Sequence, residues 1–523
     1  GMQMLLTVKL LMLLTAALNF FLQAIGYTHM LQLNSYRTER YRKWCRENDE
    51  KLVNVRHLLP FLCIPAIWMN GRVPEIALYA TAAGVLLLTA LLNLPKKAKK
   101  PLVYTARVWR VLFLQTVLFL LCAIPCFFLS APRSAGFLGL FSTVVWLWTG
   151  VANFLLTPLE KAIANHFVKD ARRILAAHDD LTVIGITGSF GKTSVKNFLH
   201  ALLSVKYNTL KTPASFNTTM GVVRTVREEL RPSHEMFLVE MGARQNGDIA
   251  EICDLVHPRY GIIASIGEQH LETFKTIDNI IATKFELADA LPKDGCVFLN
   301  TDNAYIRQKA QTLCVPHVTY GAAADSDADW RASDITVGTS GSSFTLTAPN
   351  GESRRYTTRL LGLHTVQNLV GCMALAYTLG VSLEDMVYPV KKLQPVEHRL
   401  QLLPNGYIDD AYNANPAGFR SALDTLSLFP MRRVLVTPGM VELGERQEAL
   451  NEELGGYAAD KCDVAVLVGE KQAPPLKKGL LDAGFDAEKL YVAKDLADAL
   501  RYVAALPPAE QIVLLENDLP DNY

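Results

Sequence analysis

The stretch "LTVIGITGSFGKTSVKNFLHALL", Leu181–Leu203, decides how this chain is read. "LTVIGITG" is an apolar run with the character of a buried strand. "VKNFLHALLSV" repeats its apolar residues at three- and four-residue spacing, as one face of a helix does. Between them Gly188, Ser189, Phe190 and Gly191 lead into Lys192, Thr193 and Ser194. A turn of this kind points its backbone N–H groups inward, and the following helix adds the partial positive charge of its N-terminus. That is a cradle for phosphate, with Lys192 placed to reach the β- and γ-phosphates and Thr193 to ligate Mg²⁺. The strict GxxxxGK[ST] spacing is missed by one place: Ile186 stands where the first glycine belongs, and Gly185 lies one residue earlier.

Upstream the composition changes. Leu10–Asn34, Ile76–Leu94, Val111–Ala131 and Gly136–Leu159 contain no Lys, Arg, Asp or Glu. Each run is near the ~20 residues a helix needs to cross a hydrocarbon core. A fifth run, Leu58–Met69, is short and holds Pro60 and Pro65; it reads as a thin span, a re-entrant piece or a surface helix. Arg37–Arg56 carries seven Lys/Arg, and "PKKAKKPLVYTAR" adds five with no acid. The positive-inside rule puts both basic loops on the cytosolic side. That parity favours five crossings, an external N-terminus and a cytosolic chain after Leu159. A cleaved signal peptide is not expected, because the first run is long and three more follow. Gly1 before Met2 reads as a remnant of expression. The expected location is a membrane, with the helices serving as an anchor or touching a membrane-resident substrate. Apart from Lys9 near its start, no ionisable group in these runs marks a transport path.

Bulk properties add little more. The chain of 523 residues has a formal net charge of +1, which gives no field for nucleic acid. Its nine cysteines form no CxxC pair and no zinc-type cluster, so the soluble part reads as reduced and cytosolic.

Downstream, chemistry-bearing residues recur at strand ends. "FLVEMGARQNGDI" sets Glu240 at the end of an apolar run, and "IIASIGEQHLETF" sets His270 just past another. "ATKFELADAL" places Lys284 on a predicted helix, and "VFLNTDN" supplies Asn300 and Asp302 in a polar turn. "LLGLHTVQNLVGCMALA" contains His364 and Asn368. "VEHRLQLLPNGYIDDAYNANPAGFRSALDTL" carries Arg399, Asp409, Asp410 and Tyr412, then a strand, a polar turn and a helix with Pro416 at its start. "RRVLVTPGMVELGERQEAL" and "CDVAVLVGE" continue a β/α alternation.

Taken in order over residues 180–450, these motifs resemble the Mur ligase family, and "YNANP" resembles its MurF branch. The resemblance implies an α-helical membrane region over 1–160, a P-loop ATP-binding central domain over 170–395, and a C-terminal Rossmann-like α/β domain over 396–523. It implies an ATP-dependent ligase that joins a carboxylate to an amine through an acyl phosphate. Gly188, Ser189, Gly191, Lys192, Thr193 and Ser194 would hold the phosphates. Asn300, Asp302, Asp409, Asp410 and Tyr412 would line the nucleoside, and Arg399 would reach ATP from the C-terminal domain. Thr193, Glu240, His270 and Lys284 would hold one or two Mg²⁺ ions, Lys284 as a carbamate formed with CO₂. Lys192, Lys284, His270 and Arg399 form the implied catalytic set, with His364 and Asn368 shaping the loop. The implied partners are a small amine such as D-alanyl-D-alanine, a peptide or lipid-linked carboxylate, and membrane lipid.

The pattern also departs from the family. Residues 1–160 replace the domain that binds a uridine-nucleotide sugar. "TPASFNTTMG" keeps Asn217 but has Ser215 and Thr218 where Asn is usual, "TPG" stands before Met440 in place of Gly-Asp, and "LLENDLPDNY" replaces a "KGS"-type turn. Other readings are a ligase for a capsule-type polyglutamate or other lipid-linked polymer, a transporter-type membrane ATPase, and an inactive scaffold. A four-cysteine zinc insert and an LSGGQ-like signature are both absent from the sequence.

Overall fold

The structure is a computed structural model and describes all residues except 53, 70, 96, 99, 215, 339, 413, 414 and 519–523. It divides into two compact units, residues 1–165 and 166–519.

The first unit is a bundle of apolar helices, Met2–Leu33, Glu75–Leu92 and Ala106–Cys126, each long and apolar enough to cross a membrane. Phe20 stacks on Phe119 at 4.2 Å between centroids. Gln115 donates to Thr28 Oγ1 at 2.8 Å and accepts from Thr149 Oγ1 at 2.7 Å. A buried polar triad of this kind fixes the register of three apolar helices, because any slip would strand its members.

The expected continuous helix over Gly136–Leu159 is corrected. The chain forms Ala131–Thr143 and Val145–Ala176, bent by 67° at Val144. The Trp148 indole N–H donates to the Phe141 carbonyl at 3.2 Å, satisfying an acceptor that a continuous helix would have given to the residue 145 amide. The Pro60/Pro65 run forms a 3₁₀ stretch, Leu59–Trp68, against Ala131–Thr143. Glycines allow that approach: a Cβ on Gly139 would lie 2.5 Å from the Pro60 carbonyl oxygen.

Hydrogen bonds bring the two basic loops to one end of the bundle. Gln32 exchanges bonds with the Val103 backbone, His29 Nε2 lies 2.7 Å from the Lys100 carbonyl, and Asn93 donates to the Arg56 carbonyl. The helices Met2–Leu33 and Glu75–Leu92 therefore end together. The chain between them, Leu59–Trp68 included, returns across the bundle.

The second unit holds two sheets. The larger is ordered β2-β3-β1-β4-β5-β6-β7-β8-β9. Its strands are β1 (Thr182–Thr187), β2 (Thr209–Lys211), β3 (Met236–Glu240), β4 (Tyr260–Ile263), β5 (Cys296–Asn300), β6 (His317–Gly321), β7 (Trp330–Gly338), β8 (Gly341–Thr347) and β9 (Ser353–Thr358). β1 to β7 run parallel, and β7–β8–β9 form an antiparallel end. β1 pairs with both β3 and β4 although the chain visits them later, so a crevice opens where its crossovers diverge.

The smaller sheet is ordered β10-β11-β15-β12-β13-β14. Its strands are β10 (Gln401–Leu402), β11 (Tyr407–Asp410), β12 (Arg432–Thr437), β13 (Val464–Val468), β14 (Leu490–Ala493) and β15 (Gln511–Glu516). All its pairings are parallel except β10–β11.

Candidate active site

The loop after β1 is built to be tight. A Cβ on Gly188 would sit 3.0–3.2 Å from the Phe190 carbonyl oxygen and from Ser265, and Gly191 holds φ +79° beside Asn368. Only glycine adopts that φ without strain. Ser189 is buried, and its hydroxyl exchanges hydrogen bonds with the Gly267 backbone at 3.0–3.1 Å, so it braces the loop. His364 packs edge-on to Phe190, with centroids 5.2 Å apart. His364 and Asn368 thus press the helix Leu363–Thr378 onto the loop. Ser194 lies half-buried in the first turn of the helix Lys192–Leu203.

Lys192 folds its ammonium onto the Gly188 carbonyl at 2.8 Å. Burial pulls its pKa down to about 8, Glu240 opposes the fall and the nearby Arg399 charge adds to it. Lys192 and Arg399 therefore share one electrostatic environment although they come from the two sheets' domains. Arg399 makes no ion pair among the described residues and sits in a strained turn, with φ +60° at His398 and +46° at Leu400. Asp409 holds that turn: its Oδ2 lies 2.6 Å from His398 Nδ1 and its Oδ1 accepts from the Ala411 amide. Asp410 accepts from the Leu400 amide at 3.0 Å. Tyr412 is exposed, its ring 4.6 Å from the His398 ring. His398 was not singled out from sequence; its signal was adjacency to Arg399.

Glu240 is 1% exposed at the end of β3. It accepts from Thr193 Oγ1 at 3.1 and 3.2 Å and from Asn217 at 3.4 Å. It also accepts from Lys196 Nζ at 2.7 Å. Lys196, itself 1% exposed, gives a second bond to the Ala214 carbonyl at 2.6 Å. Sequence reading passed over Lys196, which looks like an ordinary helix-surface lysine until the fold buries it.

His270 has φ +50° and sets Nδ1 2.9 Å from Glu442 Oε2, a carboxylate of the smaller sheet's domain. Burial lowers its pKa, against the pull of Glu442. Arg446 pairs with Glu268 beside it, giving a second link across the same seam. Lys284 is 1% exposed, and burial together with the Lys192 charge drives its pKa well below the ordinary lysine value. A neutral amine is the form that reacts with CO₂.

Asn300 and Asp302 are committed to the scaffold. Asn300 donates to the Ala264 carbonyl, and Asp302 Oδ2 accepts from the Ala322 and Ala323 amides and from Gln367. Ser215, Asn413 and Ala414 lie outside the described residues, while Asn415 caps the helix Pro416–Ser427 through the Gly418 amide.

The structure thus gathers a glycine turn, a lysine folded onto it, and a buried carboxylate that accepts from a threonine hydroxyl at the start of a helix, with His270–Glu442 and Arg446–Glu268 linking the two sheets' domains beside it. The Mur ligase middle domain family matches residues 186–376, and the Mur ligase, glutamate ligase domain family matches residues 398–516. The chain belongs to the Mur ligase family.

Among curated relatives, it is 32% identical to the UDP-N-acetylmuramoyl-tripeptide–D-alanyl-D-alanine ligase of Escherichia coli, over 60% of this chain and 72% of that one. It is 33% identical to the protein of the same name from Mycobacterium tuberculosis, over 55% of this chain but only 58% of that one. Its fold is similar to the crystal structure of MurF from Acinetobacter baumannii, with TM-score 0.62, 29% identity and coverage of 68% of this chain and 77% of that one. The Thermotoga maritima MurF structure in complex with ADP matches in fold, with TM-score 0.61 at 24% identity and coverage of 68% and 80%. As in those Mur ligases, α/β domains form the body of this member, which also carries the apolar helical unit.

Proposed function

We propose that this Mur ligase is a membrane-embedded, ATP-dependent enzyme that adds D-alanyl-D-alanine to the peptide carboxylate of a cell-wall precursor. The observation that carries the reading is the buried Glu240 carboxylate, which accepts from Thr193 Oγ1 at 3.1 Å in the first turn of the helix that follows the glycine loop. The similarity to the E. coli ligase supports the choice of substrates. In this reading residues 1–160 embed the chain in a bacterial cytoplasmic membrane. Residues 170–395 bind ATP in the cytosol, and residues 396–523 close over it.

The donor set suits the implied groups. The Gly188–Gly191 turn, Lys192 and Ser194 would receive the phosphates, while Asp409, Asp410 and Tyr412 would flank the nucleoside through the turn that carries Arg399. Thr193, Glu240 and His270 offer a hydroxyl, a carboxylate and an imidazole for Mg²⁺, with Lys284 as a carbamate. When bound, the metal supplies charge neutralisation at the phosphates.

The reaction is acyl transfer by way of phosphate. The substrate carboxylate oxygen attacks the γ-phosphorus and ADP departs. The amine nitrogen then attacks the acyl carbon, loses a proton and expels phosphate. The chain's residues position the groups and stabilise charge. Lys192 and Arg399 neutralise the transferring oxygens, and the His270–Glu442 and Arg446–Glu268 contacts hold the two domains closed.

The helical unit, lying outside both family matches, favours a carboxylate substrate held at the membrane over a soluble nucleotide-linked one. A product assay tests both. Purified full-length protein in detergent receives ATP, Mg²⁺ and D-alanyl-D-alanine with either the nucleotide-linked tripeptide or its lipid-linked counterpart, and mass spectrometry follows the dipeptide addition. Preferential extension of the lipid-linked precursor is expected. Failure with both, with ATP turnover on glutamate instead, would support the polyglutamate reading. ATP turnover without any acceptor would support a transporter-type ATPase, and no turnover at all a scaffold.

A further inference from the structure

A cavity of about 650 Å³ opens inside the helical unit between the helix Thr38–Glu47 and the first turns of Val145–Ala176. Its wall is apolar: Tyr41, Trp146, Leu147, Val151 and Phe154 line it. Leu147, Val151 and Phe154 are exposed although they belong to an apolar helix face. Gly150 also lines it, where a Cβ would reach ordinary contact distance, 3.5 Å, from the Tyr41 ring.

The rim is charged. Arg42 and Arg46 are one helical turn apart, so they share a face, and both are exposed. Neither makes an ion pair or side-chain hydrogen bond among the described residues. The neighbouring Lys43, by contrast, pairs with Glu47 at 3.6 Å. Asp49, also on the lining, accepts from the Glu50 amide. The cavity stands at the bundle end where the basic loops gather.

We propose that this cavity binds one phosphate-bearing lipid, its tail against Leu147, Val151 and Phe154 and its phosphate between Arg42 and Arg46. The proposal rests on the membrane reading above. Two guanidinium groups a turn apart suit a phosphate, which each can grip through paired N–H donors. At the level where a basic loop meets an apolar helix, membrane lipids present that same combination of head and tail. A diacylglycerol would leave both arginines unmatched, and inorganic phosphate would leave the apolar wall bare. Asp49 opposes the phosphate and serves as an internal control.

The experiment uses full-length protein in detergent and native mass spectrometry. The probes are dioleoyl phosphatidic acid, dioleoylglycerol with the same chains, and inorganic phosphate. A one-to-one adduct is expected with phosphatidic acid alone. The R42Q/R46Q double variant should weaken it by about tenfold or more, taking the usual worth of a basic side chain near a lipid head. Gly150→Leu, which adds bulk to the lining without changing charge, should abolish it, and Asp49→Asn should strengthen it. Equal retention of dioleoylglycerol, or affinities within twofold across these variants, would overturn the proposal. Recovery of the chain from cells as a soluble protein without detergent would instead overturn the membrane reading beneath it.

Discussion

Replacing Lys196 by methionine tests how the centre of the site is held. Lys196 and Glu240 form an ion pair at 2.7 Å with 1% and 2% of their side chains exposed. Methionine keeps most of the stem volume, so the main loss is charge. Removing one partner of a buried pair costs about 3–5 kcal/mol, chiefly because the other charge is left uncompensated. Glu240 would keep its bonds from Thr193 and Asn217, which argues for the lower end, about 3 kcal/mol. If opening in this region is governed by that loss, amides of β3 and of the helix Lys192–Leu203 should exchange roughly 150-fold faster, at 1.36 kcal/mol per decade. Hydrogen exchange read by mass spectrometry on the full-length protein measures this directly. The double variant K196M/E240Q removes both charges and should recover most of the protection, because a neutral buried pair carries no stranded ion. Exchange changed by less than threefold in K196M, or a double variant no better protected than the single, would refute the reasoning.

Glu516 is fully buried, and burial, with Asp410 beside it, pushes its carboxyl well above the ordinary value. A carboxyl raised on folding costs nothing below its unfolded pKa and drains stability as pH climbs towards its folded pKa, by about 1.4 kcal/mol per pH unit. Urea unfolding from pH 4 to 8 should therefore show Glu516→Gln equal to the parent at pH 4 and increasingly more stable above it; parallel curves would contradict this. Asp409→Asn should loosen the His398 turn and raise the KM for ATP by roughly tenfold with a smaller change in kcat, as loss of one charge-assisted bond predicts; an unchanged KM would remove Asp409 from that role. Lys284→Ala should lower ligation by at least about 10²–10³ while circular dichroism stays unchanged; near-parental activity would exclude a carbamate there. Reporter fusions in the "PKKAKK" loop and at the C-terminus should report the same, cytosolic face, and opposite faces would overturn the five-crossing topology.

Local pattern by itself determined a good deal here. The apolar run, glycine turn and amphipathic helix over Leu181–Leu203 required a strand-loop-helix, because each piece is specified by neighbours a few residues away. The Mur ligase assignment was legible for the same reason: Glu240 and His270 follow apolar strands, Lys284 lies on a helix and Arg399 in a turn, each within a local motif. The charge-free runs and basic loops likewise announced an apolar helical region. What sequence could not decide depended on which distant residues meet. Only packing showed that the run Gly136–Leu159 bends at Val144, where Trp148 satisfies the Phe141 carbonyl, and that Gly136 and Gly139 let Leu59–Trp68 approach. Only packing turned Ser189, Asn300 and Asp302 to the scaffold, because the amides and carbonyls they satisfy come from Gly267, Ala264, Ala322 and Ala323. Lys196 became a buried partner of Glu240 through a contact spanning 44 residues. His270 met Glu442 across 172. Burial and long-range charge set what such groups do, and both are properties of the folded neighbourhood rather than of the residue's place in the chain.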